Sequence, residues 1–398
     1  MDLPIQQRHW RARAGVFLTS QCVTLFGSSL VQMAIVWHAT LLTGSGVWVA
    51  AFYACSYLPQ FLVSTFGGAL ADRVGRKLLI GGADALIALA TLLACLLIPE
   101  IEGAAAMPSL LMLSALRSIG AGIQTPAVGA AIPDIVPDDA LPRYNGINAA
   151  MQATVQLAAP AAAGVLLSFG DLRSVMLVDV ATAAAGISLL SLVPIPRPSG
   201  KSEASAISEA AEGIRYALSR REVALPLGVY AALTLLSIPG GYLAGLFVSQ
   251  EFGGAWWSLA AVEIVGFLGM ALGGLLVGRV SAAGRGVVAA GLGLFGSMSM
   301  AMAASDSLPL HLALMCVYGI ALSVTQASVT TMIQRGADPA MRGRVFGLAS
   351  TIYAGCLPVG MLVIGPASDL VPLRAIMAAT GALSAFLAAI LFRHGPRN

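Results

Sequence analysis

Charge is what this sequence most lacks. Of its 398 residues only 10% are Asp, Glu, Lys or Arg, while 58% are hydrophobic. A soluble domain carries about 25% charged residues, so a water-soluble fold is excluded and an integral membrane protein is implied. The net charge is only +3 and no basic stripe lies outside the short polar segments, which excludes nucleic acid as a partner. The five cysteines (Cys22, Cys55, Cys95, Cys316 and Cys356) all sit inside apolar runs, without CxxC spacing. They read as buried packing thiols, not as disulfides. No phosphate-cradling loop of Walker type is present, so ATP is not the expected energy source. No nucleophile–base pair and no metal-spaced His/Cys set appears, so neither an enzyme, a metal site nor a cofactor is expected.

Long apolar runs are what the sequence has in abundance. Twelve are of spanning length: 14–42, 47–70, 78–98, 108–132, 145–169, 174–194, 224–248, 256–277, 286–305, 309–332, 345–368 and 372–392. Each holds the roughly 20 residues that a helix needs to cross a bilayer. The expected fold is therefore all-α, with twelve transmembrane helices. Residues 1–13 are polar and basic, and the run after them is too long for the apolar core of a cleaved signal peptide, so it should persist as the first helix.

Nearly all of the 22 lysines and arginines fall in alternate segments, among them Arg8, Arg11 and Arg13, Arg73, Arg76 and Lys77, and Arg342 and Arg344. The opposite segments hold only Arg173 and Arg374, and Arg117 lies inside a run. This bias places both termini in the cytoplasm. One long inner segment, 195–223, divides the chain. It opens with Pro194, Pro196 and Pro198 and then reads Ser199-Gly200-Lys201-Ser202, the composition of a linker. Residues 203–221 can form an amphipathic helix with Ile207, Ala211, Ile214 and Leu218 on one face. The expected domains are thus 1–194, a six-helix bundle; 195–223, a cytoplasmic linker; and 224–398, a second six-helix bundle. The halves echo each other: Gly68-Ala69-Leu70-Ala71-Asp72-Arg73-Val74 aligns with Gly274-Leu275-Leu276-Val277-Gly278-Arg279-Val280. The second copy lacks the acid.

Four charges lie inside apolar runs: Asp84, Arg117, Asp179 and Glu263. Each costs about 2.5–3.5 kcal/mol at a helix centre on insertion scales, so each should face protein or water. Burial disfavours the charged form of a carboxylate, which lets such a group take up and release a proton. The alternative is an acid that caps a helix, snorkels, or pairs with a helix end. Arg117 reads either as a permanent counter-charge to a nearby acid or as a packing residue tied to backbone carbonyls. Uncharged polar residues recur at helical spacing: Tyr53, Tyr57, Gln60 and Ser64; Asn145, Asn148, Gln152 and Gln156; Arg117 and Gln124. With Gln32, Tyr230, Gln326 and Tyr353 they mark interior faces. They line a wet cavity or make interhelical hydrogen bonds; for the set, a substrate cavity is the expected role.

Between the second and third runs stands Gly68-Ala69-Leu70-Ala71-Asp72-Arg73-Val74-Gly75-Arg76-Lys77. It reads as a tight loop, turned at Gly75 and held at the surface by its bases. The ten residues resemble the signature loop between helices 2 and 3 of the major facilitator superfamily. Stretches such as Gly81-Gly82-Ala83-Asp84, Arg117-Ser118-Ile119-Gly120 and Glu263-Ile264 resemble the macrolide-efflux branch of that superfamily. The resemblance implies two six-helix bundles related by a pseudo-two-fold axis, with a site near the midplane where the halves meet. It implies a latch built from Gly68, Asp72, Arg73, Gly75, Arg76 and Lys77 acting on Arg342 and Arg344. It implies a bacterial inner-membrane transporter, functional as a monomer, that exchanges lipophilic drugs such as macrolides for protons. Asp84, Glu263, Asp179 and Arg117 would carry the coupling, and Gln32, Tyr57, Gln124, Asn148, Gln152, Tyr230, Gln326 and Tyr353 would bind substrate. A siderophore exporter, or a lysophospholipid or other solute transporter of the same fold without proton exchange, is the alternative.

Overall fold

The computed structural model describes residues 10–98, 101, 103–195, 214–277, 284–338 and 341–393, with the side chains of 65–73 and 342–343 outside that description. Among the described residues there is no strand. Twelve helices among the described residues are long and apolar enough to span a bilayer, and the chain is a multi-pass membrane protein. They are α1 (Trp10–Thr43), α2 (Gly46–Val74), α3 (Arg76–Leu97), α4 (Met107–Ile135), α5 (Leu141–Phe169), α6 (Leu172–Ser191), α7 (Arg221–Phe252), α8 (Trp256–Val277), α9 (Arg285–Ala303), α10 (Leu308–Gly336), α11 (Arg342–Leu370) and α12 (Leu373–Arg393). In a bilayer a helix satisfies its own backbone, which is why every run adopts this one structure.

The expected loop at 68–77 is shorter than its composition suggests. Helix α2 runs through it to Val74, and only Gly75 leaves the helix, at φ 98°. One left-handed glycine suffices to reverse the chain, because it bears no Cβ to clash there. The expected linker helix at 203–221 falls mainly on 196–213, outside the described residues; 214–219 are helical. Its end is pinned by Arg220, which pairs with Asp338 (3.0 Å) and stacks over Tyr216, and α7 then begins at Arg221. All five cysteines are free: Cys95 is buried and the other four half-buried.

Two compact units are present: Met1–Ala39 with Cys55–Glu203, and Thr40–Ala54 with Ala204–Asn398. In the first, Ala14, Phe17, Ile80, Ala131, Ile135 and Leu190 form one apolar cluster joining α1, α3, α4 and α6. Beside it, Arg76 pairs with Asp134 and donates to the Ala130 carbonyl (2.8 Å), while Lys77 donates to the Ser191 carbonyl (2.7 Å). The bases that start α3 therefore sit at the C-terminal ends of α4 and α6, a favourable match of charge and helix dipole. At the opposite end of α6, Asp171 accepts from the Ser174 hydroxyl and amide, and these bonds hold its carboxyl below the usual range.

The second unit is assembled on glycine seams. Gly266, Gly269 and Gly273 of α8 lie against α10, and Gly296 of α9 lies against Gly381 of α12. Lipid gives helices little hydrophobic reason to associate, so close backbone approach supplies the attraction instead. A Cβ on Gly273 would sit 2.6 Å from the Ile320 carbonyl oxygen, whereas one on Gly274 meets only the Ser323 hydroxyl at 3.7 Å. Gly273→Ala should accordingly destabilise the purified protein by about 1–3 kcal/mol, the usual cost of overpacking, and Gly274→Ala should be close to neutral. Thermal unfolding of both variants in detergent checks this; equal midpoints would contradict it.

Candidate functional site

The buried polar groups of the first unit form two rungs between α3 and α4. Asp84 and Thr91 are seven residues apart on α3, and Arg117 and Gln124 seven apart on α4. Seven residues are two turns, so each pair shares a face, and on antiparallel neighbours both rungs close together. In the first rung Gln124 Nε2 donates to Asp84 Oδ1 (2.6 Å). In the second, the Arg117 guanidinium donates to the Thr91 hydroxyl and pairs with Asp179 of α6. Thr91 in turn donates to Asp179 (3.3 Å), and Arg117 also reaches the Ser28 carbonyl of α1 (3.3 Å).

The two acids differ in what surrounds them. Asp179 is 1% exposed and matched by a full counter-charge plus a hydroxyl. Asp84 is 4% exposed, has one oxygen on a neutral amide, and its Oδ2 has no hydrogen-bond partner. Arg117 thus pairs with an acid and also reaches a backbone carbonyl. The neighbouring glycines show how close these helices come. A Cβ on Gly120 would meet Ile87 at 2.6 Å, and one on Gly122 the Gln60 carbonyl at 2.9 Å. Ser118, next to this contact, accepts from the Gln60 amide (2.8 Å) beside Pro59.

In the second unit Glu263 of α8 is half-buried, and no described residue hydrogen-bonds or pairs with its carboxylate. Tyr353 of α11 shares a 2.6 Å hydrogen bond with the Tyr242 hydroxyl, and Tyr242 meets Tyr53 edge-on at 5.5 Å. Tyr242 closes a π-helical turn, Ile238–Tyr242, that interrupts α7. There the Tyr318 ring packs against Gly240, and its hydroxyl reaches the Ser237 carbonyl (3.3 Å). Tyr242 was not singled out in the sequence; the Pro239-Gly240-Gly241 that breaks α7 was its available signal.

The other expected substrate contacts fall on helices of both units. Gln32, Tyr57, Asn148, Tyr230 and Gln326 are half-buried, and Gln152 is exposed on α5. Of the expected latch, the side chains of Gly68, Asp72, Arg73 and Arg342 lie outside the described residues. Gly75, Arg76 and Lys77 form the staple of the first unit, and Arg344 is half-buried at the start of α11. Sequence reading also missed His311. It is fully buried, stacked on Phe247 at 4.8 Å, and paired through Nδ1 with the Ser305 hydroxyl (3.1 Å). Close by, Arg374 bridges Glu251 (2.8 Å) and Asp306 (3.1 Å).

Twelve spanning helices, with carboxylates carried into their apolar interior, define a polytopic membrane protein of the transporter kind. The sequence model of the Major Facilitator Superfamily matches residues 17–360, and the chain belongs to that family. It is 25% identical over 363 residues to macrolide efflux protein A of Streptococcus pyogenes, covering 89% of each chain. It is 24% identical over 388 residues to the multidrug efflux pump Tap of Mycobacterium tuberculosis, covering 92% of this chain and 89% of that one. Among solved structures it resembles a bacterial homologue of the iron transporter ferroportin in an inward-facing state, with TM-score 0.72, 17% identity and coverage of 96% and 98%. It also resembles the nucleoside transporter NupG, with TM-score 0.70, 12% identity and coverage of 94% and 98%. At those identities the solved structures share the fold.

The Arg117–Asp179 pair generates a stability test. Removing one partner strands a buried charge, which typically costs about 3–5 kcal/mol, whereas replacing both with apolar groups of similar volume is often neutral. Asp179→Ala should lower the unfolding midpoint strongly, and Arg117→Met with Asp179→Leu should recover most of the loss. Equal instability of single and double variants in a detergent melt would refute the pairing account.

Proposed function

We propose that this chain exports lipophilic drugs, macrolides among them, from the cytoplasm of a bacterial cell in exchange for protons. The observation that carries the reading is Asp84: a buried carboxyl held at one oxygen by Gln124 and unpartnered at the other. Such a group has room for a proton on its open oxygen while the Gln124 amide goes on donating to the other. Glu263, half-buried without a partner, is its counterpart in the second unit. Asp179 and Arg117 neutralise each other and serve as the fixed part of the machinery. The efflux names of two relatives that align over most of the chain support the drug class.

In this mechanism the two bundles, 1–194 and 224–398, rock about a central cavity, and a ligand shifts the balance of states only through its different affinity for each. Protonation of Asp84 or Glu263 supplies that difference by weakening drug binding. Gln32, Tyr57, Gln124, Asn148, Gln152, Tyr230, Gln326 and Tyr353 contribute the polar contacts. The motif of Gly68, Asp72, Arg73, Gly75, Arg76 and Lys77 latches the inner side on Arg342 and Arg344. Both termini are cytoplasmic, the chain works as a monomer, and the proton gradient is the only energy source.

The reading predicts that Asp84→Asn or Glu263→Gln lowers proton-driven macrolide movement in inverted vesicles at least tenfold, while detergent-purified protein keeps its unfolding midpoint. Wild-type transport from both variants, or transport in wild type that survives an uncoupler unchanged, would overturn it.

A further inference from the structure

The turn between α1 and α2 is held by a residue more than three hundred positions away. Asp369, in the last turn of α11, accepts from the Ser45 hydroxyl (2.5 Å), the Gly46 amide (2.6 Å) and the Val47 amide (3.3 Å). Ser45 immediately precedes α2, the place where a serine ordinarily caps its own helix. Here its hydroxyl is given to Asp369, and the Asp369 carboxylate takes the capping role on the positive end of α2. Gln250 adds a fourth bond by donating to the Gly44 carbonyl (2.9 Å). The approach is backbone to backbone: a Cβ on Gly46 would stand 2.5 Å from the Gly365 carbonyl oxygen, and one on Gly365 2.6 Å from that of Gly46.

All of these residues belong to the second compact unit, which takes in Thr40–Ala54. The chain on both sides of that segment, Met1–Ala39 and Cys55–Glu203, belongs to the first. The tip of the α1–α2 hairpin is thus covalently continuous with one unit and clamped into the other. Asp369 is itself exposed, so water can take over each of its bonds when the clamp opens, and a hydrogen bond exchanged for one to water costs little.

We propose that Asp369 is a releasable latch for the α1–α2 tip, docked in one state of the transport cycle and undocked in another, on the face opposite the N-terminus. The inference rests on the alternating-access reading, so its test has one arm that needs no transport. In the full chain, Val49→Cys places a thiol at a site that is 2% exposed behind the clamp. Adding Asp369→Ala should raise its labelling by a membrane-impermeant maleimide roughly tenfold, the scale set by losing charge-assisted bonds. Adding Asp369→Asn, which keeps the shape and the acceptor but not the charge, should give a smaller rise. Equal labelling with and without Asp369 would overturn the latch whatever the protein transports.

The second arm tests whether release matters to turnover. Ser45→Cys with Asp369→Cys, oxidised to a cross-link verified by peptide mass, should stop macrolide export that the reduced pair still performs, and reductant should restore it. Full-rate export by the cross-linked chain would refute the latch. A reduced pair and a wild type that both move no drug would count against the export reading, and the labelling arm would still decide the latch.

Discussion

A charge surrounded by apolar helices has to be matched where it lies or kept available to a proton, and this constraint orders the chain. Lipid cannot relieve it, because hydrocarbon offers neither a hydrogen bond nor a counter-charge. Arg117 cannot lose its charge, since a guanidinium stays protonated in proteins. It is accordingly matched in full by Asp179, Thr91 and the Ser28 carbonyl. Asp84 sits two turns along the same pair of helices with only an amide to meet it. The same scaffold therefore gives one acid a charged partner and a hydroxyl and leaves the other with an unpartnered oxygen. The difference lies in partner chemistry, since the two acids are almost equally buried.

The helix framework was legible in the sequence because bilayer thickness imposes a length that hydropathy alone reports. The ends were less so. Hydropathy closes the eleventh run at 368, while α11 continues to Leu370; the two residues gained include Asp369, whose hydrogen bonds fall on the α1–α2 turn. The loop at 68–77 shows the reverse error, since polar residues at a membrane surface look like loop whether or not they are helical, and only Gly75 leaves the helix. A charged or glycine-rich stretch marks depth in the membrane better than it marks backbone conformation.

Site residues divide in the same manner. Asp84, Arg117, Asp179 and Glu263 stood out because a charge in an apolar run is rare, and the seven-residue spacing of Arg117 and Gln124 already put them on one face. Which acid pairs with which base depends on how α3, α4 and α6 pack, and no local pattern encodes that. Tyr242 and His311 were missed for a related reason: an aromatic or a single histidine in a hydrophobic run reads as ordinary packing. His311 is distinguished only by its stacking on Phe247, whose helix is remote in sequence, and by a ring nitrogen left without a partner.

The seams within the second unit and the clamp on the α1–α2 tip use glycine to opposite ends. Between α8 and α10, glycine lets backbones touch over a long buried line, and separating them would forfeit many dispersion contacts at once. At Gly46 and Gly365 the contact is short, and polar bonds to an exposed carboxylate complete it. A long buried seam resists opening because nothing replaces what it loses; a short polar clasp at the water's edge does not, because solvent offers each donor a new acceptor. The two kinds of contact differ in what opening them would forfeit: the seam loses contacts that nothing replaces, and the clasp exchanges its partners for water. On this reasoning the position of a glycine-lined contact relative to water, more than its tightness, decides whether it is permanent or part of the cycle.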